Sequence, residues 1–217
     1  MAVVLGTNCG FVSASPSADP SGSATTCDTY ARGQYDTSPA TAIKITEIGW
    51  YCQNKTQAAD FDVGIYTDDS GNEEPQTVVG SLSTNNAKGT TSGWKKVTGL
   101  NITISPSTNY WICMQLDNTS TATKTDYTTN YDGDMNISDS GNTALPDPTW
   151  NIGGWQQDGT IAIYAVWEAA AATGTNTQIN IGDVWKDIEG IQINIGDTWK
   201  AVEGIQINIG DTWKEVF

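Results

Sequence analysis

At 217 residues the chain has room for one ordinary domain of about 150 residues and an appendage. A formal charge of −15, from 25 acidic against 10 basic residues, repels a phosphate backbone, and the basic residues form no run that would neutralise one. Histidine is absent, which removes the commonest general base and every His-dependent triad, and no apolar stretch approaches the roughly 20 residues of a membrane-spanning helix.

The first residues lack the basic region and apolar run of a secretion signal, so none is expected. Residues 13–40 are dominated by Ser, Ala, Pro, Thr, Gly and Asp, and residues 1–41 read as an N-terminal arm or loop wrapped on the surface. From Ala42 the texture changes to short runs of Ile, Val, Tyr and Trp between Gly, Asn, Asp and Ser clusters, the spacing of an antiparallel all-β domain over residues 42–168. Strands are predicted at Ala42–Gln53, Asp60–Tyr66, Thr77–Ser81, Gly93–Thr98, Leu100–Ile104, Tyr110–Leu116 and Thr160–Glu168, and no segment before residue 168 carries a helical apolar period. Two sheets packed face to face, a jelly-roll-like β-sandwich, are the economical arrangement. An Ala/Gly/Thr linker is expected at 169–176.

Residues 177–217 hold three units of a 14-residue repeat. Gln178–Ile191 returns at Gln192–Ile205 and again from Gln206 to Phe217. Each unit reads as two strands, a small β-meander or β-prism-like region, with a turn at Gly182, Gly196 or Gly210. A unit this short cannot bury its own tryptophan and must lean on neighbours or on other chains. Trp185, Trp199 and Trp213, with Ile179, Ile181, Ile193, Ile195, Ile207 and Ile209, are therefore the candidate assembly interface. Trp199 and Val202 are three apart, which requires a bulge, a helical turn or burial on both faces. Two-faced burial suits chains intertwined about a threefold axis, so a homo-oligomer is expected, a trimer for preference.

Little in the chain suggests catalysis or a cofactor. The acids cluster in turns, which reads as solvated loop rather than a pair of catalytic carboxylates. Asp68, Asn72 and Glu74 are candidate Ca²⁺ ligands by oxygen spacing, although that spacing departs from the EF-hand loop, and no metal is expected. Cys52 and Cys113 sit in aromatic runs where buried thiols are favoured over a bridge, while a Cys9–Cys27 disulfide is left open. Trp150 and Trp155, with Asn151 and Gln156, form a candidate glycan site in a Gly- and Pro-bounded loop, against the alternative that both rings cap the domain.

Residues 45–51, 61–67, 93–94 and 109–115 resemble the β-sandwich domains common in phage virion proteins and in extracellular adhesive modules. The C-terminal units, INIGDTWK, are similar to the short INVGGVWK repeats that end many predicted phage tail and fibre proteins, with Asp183, Asp197 and Asp211 where a second glycine is frequent. The resemblance spans residues 42–217 and implies a noncatalytic structural protein of a tailed-phage virion: capsid decoration, head fibre or tail fibre. Its partners would be copies of itself or other virion proteins, with a host surface glycan in reserve and neither nucleic acid nor membrane. Carbohydrate-binding adhesin, and subunit of an extracellular filament whose arm up to Pro39 completes a neighbour's sheet, are the alternatives.

Overall fold

A computed structural model of the chain describes residues 9–20, 22–27, 29–53, 61–71, 73–85, 92–116, 122–126, 135–170, 178–181, 184–187, 192–195, 198–201, 206–209 and 212–215. Every regular element among them is a strand. In chain order these are β1 Gly10–Val12, β2 Ser23–Thr26, β3 Tyr30–Thr37, β4 Ala42–Cys52, β5 Phe61–Asp69, β6 Glu74–Asn85 and β7 Gly93–Thr103. There follow β8 Asn109–Leu116, β9 Ala122–Asp126, β10 Met135–Ser140, β11 Trp155–Asp158, β12 Thr160–Ile161 and β13 Ile163–Ala169. The repeats contribute β14 Gln178–Ile181, β15 Val184–Asp187, β16 Gln192–Ile195, β17 Thr198–Ala201, β18 Gln206–Ile209 and β19 Thr212–Glu215. Contacts divide the chain into two compact units, Met1–Ala169 and Ala170–Phe217.

In the first unit a six-stranded sheet runs β11-β10-β3-β8-β5-β6, a four-stranded sheet β1-β13-β4-β7, and a small sheet β12-β9-β2. The alternation of β8 separates the surroundings of its residues. Ile112, Met114 and Leu116 join a cluster with Phe61, Val63 and Ile65 of β5, with Ile45, Ile48 and Trp50 of β4, and with Ile163 and Ala165 of β13. One apolar core thus takes side chains from both large sheets, and Trp50 meets Phe61 edge to face at 5.9 Å across it. Trp111 and Cys113, at the other parity, join Ala31, Tyr66, Ile137, Leu145 and Trp150 in a second cluster. Ile45 and Ile48 are three apart yet share the first core, because a bulge between Ile45 and Glu47 resets the register against β7.

The expected arm is corrected here. Within residues 1–41, β1 pairs parallel to β13, β2 pairs with β9, and β3 lies between β10 and β8, hydrogen-bonded on both sides. Ala31, Arg32, Gly33 and Gln34 are buried. Strand β3 so placed has no free edge to lend to a neighbouring chain, whereas β1 and β2 stand at the edges of their sheets. Strands β9, β10 and β11 also stand where none was expected. The two runs expected at 93–104 are one strand, β7, in which Gly99 takes φ 73°.

Residues 9–20 are secured at several points. The Trp94 indole N–H donates to the carbonyl of Ala18 at 2.7 Å, and Ser15 donates its hydroxyl to Glu47 Oε1. Glu47 also accepts from Tyr164 Oη at 2.7 Å and pairs with Lys96 Nζ at 3.0 Å. Burial pushes this carboxyl upward, but the hydroxyls of Ser15 and Tyr164 and the Lys96 ammonium together hold it below the usual range.

In the second unit each repeat is one antiparallel hairpin: β14 with β15, β16 with β17, β18 with β19. Each unit thus has the two strands expected of it, and strand pairing among the described residues stays within a repeat, giving three two-stranded sheets. Most of the expected linker, from residue 171, and Val202 lie outside the described residues.

Candidate functional site

The six-stranded sheet changes character along its rows. Cross-strand partners share a face, so the register Val63–Met114–Arg32–Ser138–Trp155 is one continuous row from β5 to β11. It begins in the apolar core and turns polar at β3. The row Phe61–Leu116–Tyr30–Ser140 does the same, and so does Ile65–Ile112–Gln34–Asn136–Gln157.

In the last of these rows the polar groups are used for construction. Gln34 donates to the Met135 carbonyl at 3.1 Å and accepts the Ile161 N–H at 2.9 Å, fastening β12 to the sheet. Asn136 donates to the carbonyls of Gln157 and Gly159. The other two rows open into a cleft of about 550 Å³ lined by Thr25, Tyr30, Arg32, Ser138, Asp139, Ser140, Gly154, Trp155 and Gln157.

Its charged groups are held in place. Arg32 is 4% exposed, donates Nε and Nη2 to the Thr26 carbonyl, and lays its guanidinium 4.6 Å from the Tyr30 ring centroid. Asp139 Oδ2 accepts from Asn142 at 2.9 Å. Trp155 is 77% exposed at the rim. Gly154 seats the strand that carries it: a Cβ there would lie 2.5 Å from Ile137 Cδ1, so only glycine allows this approach to β10. Aromatic surface, hydroxyls and an amide suit binding.

The expected glycan set is split by the structure. Trp150 is 8% exposed, donates its backbone N–H to Gln76, and meets Tyr66 edge to face at 5.3 Å. Gln156 lies opposite Ile137, at the other parity from Trp155, and donates its amide to the Glu73 carbonyl. Asn151 is exposed and does not line the cleft. Only Trp155 of that set is at the site; Tyr30, Arg32, Ser138 and Asp139 were missed. For Tyr30, Arg32 and Ser138 the signal was present as alternation in residues 30–34 and 136–140, hidden because neither stretch is apolar, whereas Asp139 stands at the other parity, across from Ala31.

The acidic turn fares similarly as a cation site. Asp68 Oδ1 accepts the Trp111 indole N–H at 2.9 Å, Glu74 stands opposite Asp69 in the β5–β6 pairing, and Asn72 lies outside the described residues. Burial, with Glu73 and Asp69 nearby, raises the Asp68 carboxyl against the lowering effect of Trp111. Among the described residues no three His, Cys, Asp or Glu side chains group to hold a metal ion. Cys113 is a free thiol buried in the second cluster, so no Cys52–Cys113 bridge exists; Cys9, Cys27 and Cys52 are buried as well.

All nine residues of the expected assembly interface stand in the hairpin strands, in one register repeated three times. Trp185, Trp199 and Trp213 stand across from Asn180, Asn194 and Asn208; Ile179, Ile193 and Ile207 stand across from Lys186, Lys200 and Lys214. Isoleucine and tryptophan therefore fall at opposite parities of each ribbon. Among the described residues no helix is long and apolar enough to cross a membrane. No family model, curated protein or solved structure matches the chain.

Proposed function

We propose that the chain is a noncatalytic structural component of a tailed-phage virion, a capsid decoration, head fibre or tail fibre protein. The first unit serves as a jelly-roll-like β-sandwich for display, and the C-terminal hairpins join copies of the chain, as trimers for preference, or dock it on other virion proteins. The observation that carries this reading is the threefold repetition of a hairpin register with isoleucine at one parity and tryptophan at the other. A two-stranded ribbon that carries isoleucines at one parity and a tryptophan among polar residues at the other is marginal alone and gains by having these side chains covered. Complete burial of one tryptophan, about 150–250 Å² at about 25 cal/mol/Å², is worth roughly 4–6 kcal/mol before the entropic cost of association. The resemblance of INIGDTWK to phage tail and fibre repeats supports the virion setting, and the net charge of −15 keeps unassembled chains apart in solution.

Replacing Trp185, Trp199 and Trp213 together by alanine is expected to yield a monomer in sedimentation velocity whose first unit keeps its near-UV circular dichroism. A wild-type chain that sediments as a monomer at high concentration and binds no virion component, or a triple variant with the wild-type mass, would overturn the proposal.

A further inference from the structure

We infer that the cleft over β3, β10 and β11 binds a neutral saccharide, with Trp155 as the platform for a sugar ring. The inference goes beyond the assembly reading and uses no residue of the repeats.

Trp155 carries the first part of the argument. The other tryptophans of the first unit are buried or half-buried, whereas its indole is 77% exposed beside a cleft rather than on a convex face. It stands on a paired strand, not a loose loop, and Gly154 brings that strand close against Ile137. A flat apolar ring held rigidly at a rim is preorganised to stack on a flat partner that presents C–H groups on one side.

The lining decides which flat partner. Hydroxyls of Thr25, Ser138 and Ser140 and the amide of Gln157 offer donors and acceptors together, which matches a polyhydroxylated molecule. The charges nearby are committed elsewhere: Arg32 is 4% exposed with its guanidinium bonded to the Thr26 carbonyl, and Asp139 stands across from Ala31, at the parity opposite Arg32, with Oδ2 on Asn142, so neither is offered to pair with a charged ligand. A purine or other aromatic base would find the platform, but the phosphate attached to it would meet the overall negative charge. The volume, about 550 Å³, lies in the range of small-molecule sites.

The test is a glycan array carrying neutral oligomers of hexose and N-acetylhexosamine beside uronate- and sialate-bearing glycans, probed with the full chain. Titration calorimetry then follows on the neutral glycan retained. Trp155→Ala is expected to weaken binding about tenfold or more and Trp155→Phe less, both with unchanged near-UV circular dichroism. Asn151→Ala and Gln156→Ala are expected to bind as wild type. Retention of no neutral glycan, a preference for the acidic ones, or undiminished affinity in Trp155→Ala would each overturn the inference. So would loss of a protein contact in Trp155→Ala with no glycan retained, since the indole would then be a protein-binding surface. The Trp185/Trp199/Trp213 triple alanine variant is expected to keep the intrinsic affinity, which separates failure of this inference from failure of the assembly reading.

Discussion

Gly49→Ala probes how tightly the Glu47 network is built. A Cβ at Gly49 would stand 2.5 Å from Tyr164 Cε1 and Cζ and 2.6 Å from its hydroxyl oxygen. Ordinary carbon contact is about 3.5–4.0 Å, so the ring would have to retreat by about 1 Å. It has nowhere to go: Tyr164 is fully buried, its ring lies 5.3 Å from Trp94, and its hydroxyl is bonded to Glu47 at 2.7 Å. Overpacking costs about 1–3 kcal/mol, and loss of a hydrogen bond to a carboxylate about 1.5–3 kcal/mol. Alanine stiffens the unfolded chain and returns about 0.4–1 kcal/mol, leaving a net loss of about 2–5 kcal/mol. With a urea dependence of about 2–3 kcal/mol/M for a domain of this size, the midpoint followed by near-UV circular dichroism should fall by about 1–2 M. Gly153→Ala is the control, since a Cβ there meets only Asp139 Oδ1 at 4.0 Å, and it should change stability by no more than about 0.5 kcal/mol. If both variants unfold at the wild-type midpoint, or both fall equally, the close packing of β4 on Tyr164 is not what holds this region.

Two further outcomes follow from buried groups. The Glu47 carboxyl is held below its usual range, so its contribution is present above the unfolded pKa, about 4.3, and is lost as pH falls through the lower folded value. Glu47→Gln should therefore be less stable than wild type near neutrality, with the gap closing in strong acid; a gap independent of pH in paired urea titrations would refute the assignment. Burial raises the Cys113 thiol well above its ordinary value, so peptide mapping after iodoacetamide treatment should find it unmodified in the native chain and modified in urea. Rapid native labelling of Cys113 would show that the second cluster opens readily.

What could be read from the sequence depended on whether a strand had an apolar face. In β8 the alternating Tyr110, Ile112, Met114 and Leu116 announce a strand because both the core and the period are visible. Strand β3 is as central but carries neither sign. One side of it presents Tyr30, Arg32 and Gln34, which face the cleft and β12; the other presents Ala31 and Gly33, kept small by their neighbours. A Cβ on Gly33 would lie 2.8 Å from Cys113 Sγ and 3.1 Å from Ile137 Cγ2. Small and polar residues in alternation read as loop, so the strand was invisible to any argument from hydrophobicity. Trp150 and Trp155 pose the same problem in reverse: five positions apart in one Gly-rich stretch, they look equivalent, yet one packs on Tyr66 and the other is bare.

The cleft is a product of unequal sheet widths. Six strands stand in one sheet and four in the other, and the core side of the wider sheet is apolar over β5 and β8, where the shared cluster lies. Beyond them β3, β10 and β11 have to end their rows in something other than packed apolar side chains. Two solutions are used side by side. The row through Gln34 and Asn136 is closed by β12, and its amides are matched to backbone groups, although Asn136 Oδ1 is buried with no hydrogen-bond partner among the described residues. The rows through Tyr30 and Arg32 are left open and meet Trp155 at the edge. A polar floor beside an indole that is 77% exposed puts the proposed saccharide surface on the sheet itself. Its geometry is then set by strand register, which a change in the surrounding loops does not move.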